Sequence, residues 1–170
     1  PNSSNSILEL VFFIRNLFRL LNKNKKIVIM YKDKTSSENF FSHDYLNRLF
    51  KKKLSYYSNR FKIVNIFPNL LISKSDLVIS MAFSSTFLES LFMEKKSLVY
   101  DHNRRWSNSP YYNYQKLIST NYNELSSNVV YWSSRKYCYY SKKIYNPISK
   151  LIFNDKEYTL NLKQELNKLI

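Results

Sequence analysis

From Ser75 to Leu91 the chain reads SDLVISMAFSSTFLESL: an apolar run, a tight turn, and three consecutive hydroxyls at Ser84, Ser85 and Thr86. Where a helix begins, its first backbone N–H groups have no intrahelical acceptor, and the helix end carries a partial positive charge. Hydroxyls placed there add side-chain donors, which makes a phosphate site that needs no glycine. Glu89 follows one turn later, where a carboxylate can accept hydrogen bonds from a ribose diol. The same spacing has a second reading. Glu89 lies three residues after Thr86 and four after Ser85, close to a capping box in which hydroxyl and carboxylate satisfy the helix's own amides. Spacing alone leaves both open.

These residues need a strand before them and a strand after them. The run from Asp76 to Ser80 reads as a strand, Ser84 or Ser85 begins a helix through about Met93, and Ser97-Leu98-Val99-Tyr100 reads as the next strand. Upstream, residues 3–22 carry apolar positions at helical spacing. Ile27-Val28-Ile29-Met30-Tyr31 is a short β-branched run typical of a buried strand. Asp44 can cap a second helix to about Ser55, residues 61–65 read as a strand, and Pro68 opens a short helical segment to about Lys74. Strand and helix alternate at short spacing, which predicts an α/β fold with a Rossmann-like open parallel sheet flanked by helices. In such sheets ligands bind at the C-terminal ends of the strands, where the Ser84 turn falls. Past Asp101 the pattern weakens. Residues 102–114 read as a long loop, 114–119 as a short helix and 129–132 as a strand. A helix capped by Asp155 carries Leu160, Leu162, Leu166 and Leu169, so 102–170 reads as loop-rich with a C-terminal helix.

The chain has 170 residues, the size of one domain. It contains no glycine, which excludes the G-x-G-x-x-G, P-loop and G-x-S-x-G motifs. With 27 Lys and Arg against 12 Asp and Glu the formal net charge is +15, so an anionic partner is expected, although an Asn-, Lys-, Tyr- and Ile-rich composition also raises the charge by drift. Cys138 is the one cysteine, and His43 and His102 stand apart, so neither a disulfide nor a metal site is expected. His43, beside Asp44, reads as part of a helix start. The apolar stretch of residues 7–21 is broken by Glu9, Arg15, Asn16 and Arg19 and falls short of the ~20 residues a spanning helix needs. A cytoplasmic protein is expected.

The run SDLVIS-MAFSSTFLES-LFMEKKSLVYD resembles the donor-binding C-terminal half of GT-B glycosyltransferases of bacterial surface-polysaccharide biosynthesis, and is similar in particular to the CDP-glycerol glycerophosphotransferase group. The shared pattern is an aspartate, an apolar strand, Ser-Ser/Thr, a helix with an acidic residue, a small turn and a strand. The resemblance spans roughly residues 7 to 115. Two departures stand out. The glycine usual before the last strand is replaced within Met93-Glu94-Lys95-Lys96, and the lysine-rich loop after the first strand reads Tyr31-Lys32-Asp33-Lys34, without the family's histidine. The resemblance implies half of a GT-B fold and a role in transferring a nucleotide-activated sugar or polyol phosphate to a cell-surface glycan such as lipopolysaccharide, capsule or teichoic acid. Ser84, Ser85 and Thr86 would hold the donor diphosphate with Lys32 and Lys34, and Glu89 the ribose. Asp101, His102 and Arg104 are further possible donor contacts, with Asp101 equally suited to capping the loop that follows. No catalytic base is identified, and no cofactor beyond the donor substrate is implied. The chain starts at Pro1, and it reads as a single donor-binding domain from the C-terminal part of a longer chain. An N-terminal acceptor domain would be its partner, and the chain alone would bind a donor rather than turn it over.

Basic and aromatic residues interleave at Lys51-Lys52-Lys53 with Tyr56 and Tyr57, at Arg104-Arg105-Trp106, and from Arg135 to Lys143. Such patches can be solvated faces, can lie on an anionic membrane at the inner face of the plasma membrane, or can hold nucleic acid. No recognised nucleic-acid module is present, which disfavours the last. The competing function is therefore a non-enzymatic α/β module that binds RNA or an anionic membrane through this surface.

Overall fold

The computed structural model describes residues 3–32, 44–81, 84–105, 107–114 and 116–153. Lys34, His43, Trp106 and the helix expected from Asp155 lie outside them. The chain is α/β, with two parallel sheets flanked by helices in a Rossmann-like arrangement.

Helix α1 (Ser3–Lys23) is built by Phe13, Ile14, Leu17, Phe18 and Leu21, which recur on one face and are all buried. That face serves both sheets. Phe18 stacks on Phe50, Tyr57 and Phe61, with ring centroids at 5.7, 5.7 and 4.7 Å, while Phe13 meets Tyr100 at 5.3 Å. The first sheet pairs β1 (Ile29–Tyr31) with β2 (Phe61–Ile63) in parallel through α2 (Asp44–Tyr56), Ile29 opposite Phe61. Helix α3 (Pro68–Ser73) leads to the second sheet, in which β3 (Val78–Met81), β4 (Ser97–Tyr100) and β5 (Ile118–Ser119) lie parallel in that order. Helix α4 (Ser85–Phe92) joins β3 to β4, and a 3₁₀ turn (Pro110–Asn113) lies on the way to β5. All four residues of β4 are buried, as a central parallel strand requires.

Two expectations for the second half are corrected. The segment read as a short helix contains β5, which pairs Val99 with Ile118 and Tyr100 with Ser119. The segment read as a strand at 129–132 lies inside α5 (Tyr122–Ser133). Burial there follows a helix: Leu125, Ser126, Asn128, Val129 and Trp132 point inward, while Val130 is 53% exposed. Beyond it, residues 137–153 are helical, within the stretch expected to be loop-rich. Helix α6 (Tyr137–Tyr140), a π turn (Ser141–Tyr145) and α7 (Asn146–Phe153) run without a break and bury Tyr140, Ile144 and Ile148. The π turn has a local cause. Pro147 cannot donate to the preceding turn and its ring crowds the carbonyl four residues back. Widening the helix, with Asn146 N–H bonding to the Ser141 carbonyl, accommodates it.

The missing glycine is replaced by a glutamate in the same conformation. Glu94 has φ 55°, the left-handed region, immediately after α4. Its N–H bonds to the Leu91 carbonyl (3.0 Å) and that of Lys95 to the Ser90 carbonyl (2.8 Å), the paired bonds of a Schellman helix stop. Arg104 (φ 52°) and Lys116 (φ 64°) fill left-handed positions in the same way.

Candidate functional site at the C-terminal edge of the second sheet

Strand β3 precedes α4 in the chain, and Ser84 is the residue just before the helix, with extended backbone (φ −102°, ψ 164°). Its hydroxyl makes no capping bond to the helix. The Ser84 carbonyl accepts from Phe87 N–H at 2.9 Å, tightening the first turn. Because the helix starts at Ser85, Glu89 lies in the second turn, beyond the third helical position that a capping box uses. The hydroxyl–carboxylate cap allowed by the spacing is therefore not built here. Ser85 is exposed, and Ser84, Thr86 and Glu89 are half-buried. Ser90 donates to the Thr86 carbonyl (2.6 Å).

The turn from β5 into α5 is closed by contrast. Asn121 Oδ1 accepts from Glu124 N–H (3.0 Å), and Glu124 Oε2 accepts from the N–H and the hydroxyl of Thr120 at 2.7 and 3.0 Å. Among the described residues no side chain caps the first helix end, and the second is satisfied by its own side chains.

Between them, the loop after β4 is held at both ends. Asp101, 4% exposed, accepts from Arg105 N–H (3.1 Å) through one oxygen and from the Tyr112 hydroxyl (2.5 Å) through the other. Burial first, and then the Asp101 carboxylate, push the Tyr112 hydroxyl far above the ordinary tyrosine range. Asp101 thus caps this loop. Glu9 of α1 forms an ion pair with Arg105 (2.7 Å) and accepts from Asn103 Nδ2. Arg104, between these anchors, is exposed. His102 is half-buried, with Nδ1 3.1 Å from the Thr120 carbonyl. Since β3 and β4 pair with Met81 opposite Tyr100, Ser84 and His102 fall just beyond adjacent strand ends. Lys32 directly follows β1 at the corresponding end of the other sheet, half-buried. Among the described residues no group of three or more His, Cys, Asp or Glu is placed to hold a metal ion. Nor is any helix among them long and apolar enough to cross a membrane.

Sequence reasoning missed Glu9, Asn16, Tyr112 and Thr120, which support this edge from a distance in the chain. Only the Asn121–Glu124 pair carried a readable signal, an N-cap residue three before a glutamate.

Arg135 of the expected basic surface does internal work, as do Arg60, Lys96 and Lys116 outside it. Arg60 donates to the carbonyls of Leu21, Asn24 and Lys25 past the end of α1 (3.0, 3.0 and 3.3 Å). Lys96 Nζ donates to Trp132 and Arg135 carbonyls at the end of α5 (2.8 and 2.9 Å), and burial lowers its pKa against the pull of Asp76. Arg135 bonds to the Tyr131 carbonyl (2.7 Å) and lies 3.4 Å over that ring, with Lys116 also over it at 4.1 Å.

The parallel sheets flanked by helices define a Rossmann-like α/β protein, with the start of α4 past the C-terminal end of β3. The family model for polysaccharide biosynthesis PFTS motif proteins matches residues 8–129, from α1 into α5, and the chain belongs to that family. Its role is in polysaccharide biosynthesis. No curated protein and no solved structure matches the chain.

Proposed function

We propose that the chain is the donor-binding half of a GT-B-type glycosyltransferase, which holds a nucleotide-activated sugar or polyol phosphate for transfer to a cell-surface glycan. The observation that carries this reading is the uncapped start of α4 at the end of β3, with Ser84, Ser85 and Thr86 around its first amides. Family membership adds weight to the same spot. The four-residue motif in the family's description is Pro-Phe-Thr-Ser, and the stretch of this chain nearest to it is Ala82-Phe83-Ser84-Ser85, which keeps the Phe and the Ser and puts hydroxyl for hydroxyl.

In this reading the first amides and hydroxyls of α4 bind the diphosphate, Glu89 one turn on takes the ribose hydroxyls, and Lys32, Lys34 and Arg104 neutralise charge. Transfer then proceeds by positioning and by stabilising negative charge on the departing nucleoside diphosphate, which preorganised amides and cations do without reorganisation. The acceptor is bound by a separate half, and the exposed lysines of the run from α6 to α7 suit peripheral contact with an anionic membrane.

A thermal-shift titration with UDP, CDP, GDP and their sugar or glycerol conjugates tests it. Ligand bound to the native state raises the melting temperature by mass action. One nucleotide series should stabilise the chain, and Ser85→Ala and Glu89→Ala should each remove most of the shift. A well-folded chain that responds to none of them contradicts the reading.

A further inference from the structure

His102 occupies a built position. Its Nδ1 is 3.1 Å from the Thr120 carbonyl and 3.4 Å from the Tyr100 hydroxyl. A carbonyl oxygen only accepts, so Nδ1 carries a proton in the neutral ring as well as in the charged one. The other nitrogen, Nε2, presents a lone pair when the ring is neutral and an N–H when it is charged. The ring is held flat as well as anchored: Tyr100 stacks nearly parallel (6.1 Å, 6°) and Phe12 lies at 4.8 Å.

The support behind it explains a residue that is otherwise out of place. Asn16 sits on the buried face of α1 among Phe13, Leu17 and Leu20, where an unpartnered amide is costly. It donates from Nδ2 to the Tyr100 hydroxyl at 2.7 Å, and that hydroxyl faces His102. On the far side Thr120 is fixed by Glu124. Helix α1, strand β4, the end of β5 and helix α5 therefore each contribute a member to one polar chain that orients a single imidazole. Histidine orientation through Nδ1–H to a carbonyl is the arrangement that leaves Nε2 for a ligand.

We propose that His102 binds the diphosphate of the nucleotide donor through Nε2–H, as a charge-assisted hydrogen bond from the imidazolium. This rests on the reading of the α4 start as the donor site. Met81 of β3 lies opposite Tyr100 of β4, so His102 and Ser84 follow the C-terminal ends of neighbouring strands, which lie about 4.8 Å apart.

The test is titration calorimetry of the whole chain with UDP-glucose, CDP-glycerol and GDP-mannose, on the wild type, His102→Asn, His102→Gln and Ser85→Ala. Asparagine keeps an amide where Nδ1 meets the Thr120 carbonyl and removes Nε2. Glutamine places an amide near the Nε2 position. The donor that binds the wild type should bind His102→Asn about ten- to a hundredfold more weakly, and His102→Gln should recover part of the loss. Wild-type affinity in His102→Asn, with binding lost in Ser85→Ala, leaves the donor site standing and overturns the role of His102. If no donor binds the wild type, the donor-site reading fails and this assignment fails with it. Nitrogen-15 NMR of His102 decides the matter even where a variant fails to fold: Nε2 must move on saturation with donor, and an unmoved Nε2 overturns the proposal.

Discussion

Glu94 shows how a single residue adapts to a chain without glycine. An L-residue in the left-handed region costs roughly 1–2 kcal/mol relative to its preferred conformations, and glycine escapes most of that. Since the Schellman bonds that Glu94 makes are backbone bonds, Glu94→Gly keeps them. It should stabilise the fold by about 1 kcal/mol, read as a higher urea midpoint. That glycine usually stands near this place was readable from the resemblance. That Glu94 itself takes the left-handed position was not, because four residues shared the turn. Asp101 was readable as either donor contact or loop cap. The loop-capping bonds are seen only in the fold, which brings in Tyr112 from eleven residues away. Buried tyrosines make a second residue-scale prediction. Burial, with the Glu94 and Tyr145 charges, raises Tyr137 to about 12, and burial also raises Tyr140. Unfolded tyrosines release their protons from about pH 10. Between pH 10 and 12 the unfolded state therefore binds fewer protons, and stability falls as pH rises. The urea midpoint should drop from pH 9.5 to 11, and Tyr137→Phe should reduce that drop.

Among the elements, the first four strands and the helices between them were legible because each has an unmixed period: short β-branched runs for strands, and apolar residues three and four apart for helices. The misreading at 129–132 came from the reverse condition. Val129, Val130, Tyr131 and Trp132 form an apolar, β-branched and aromatic run, which periodicity cannot assign when it is four residues long. The helix is settled from its other end, by the Asn121 cap and Glu124. The two helix starts on the C-terminal edge can be separated by experiment. Asn121→Ala should lower stability by about 1 kcal/mol, the usual loss of an N-cap. Ser84→Ala has no capping bond to lose and should change stability by less than about 0.5 kcal/mol. It should nevertheless weaken donor binding, and calorimetry beside urea melts reads both effects. A stability loss in Ser84→Ala equal to that in Asn121→Ala would make Ser84 a structural cap.

Across the whole molecule, composition and charge are linked. Glycine commonly ends helices by letting the chain turn back on the last carbonyls. Here Arg60 covers the end of α1, and Lys96 and Arg135 cover the end of α5. Part of the +15 charge is thus tied to the scaffold, which weakens the view of the chain as simply a basic binding surface. Net charge is visible in a sequence, but the carbonyls a cation will meet 36 or 39 residues away are not. Lys96→Met should destabilise the protein by about 1–3 kcal/mol, the usual loss when part-buried acceptors lose a charged donor, whereas substitution of the exposed Lys51 of α2 by Met should be close to neutral.

Donor binding at the open start of α4 is the central claim to test. The most direct measurement is amide NMR of the labelled chain during titration with the nucleotide diphosphate series. The largest shifts at saturation should fall on the backbone amides of Ser85 and Thr86, with the capped amides of α5 at Glu124 nearly still. Shifts gathered instead on Lys51–Lys53 or along the α6–α7 run, with Ser85 and Thr86 unmoved, would contradict it and make the basic surface the site of binding.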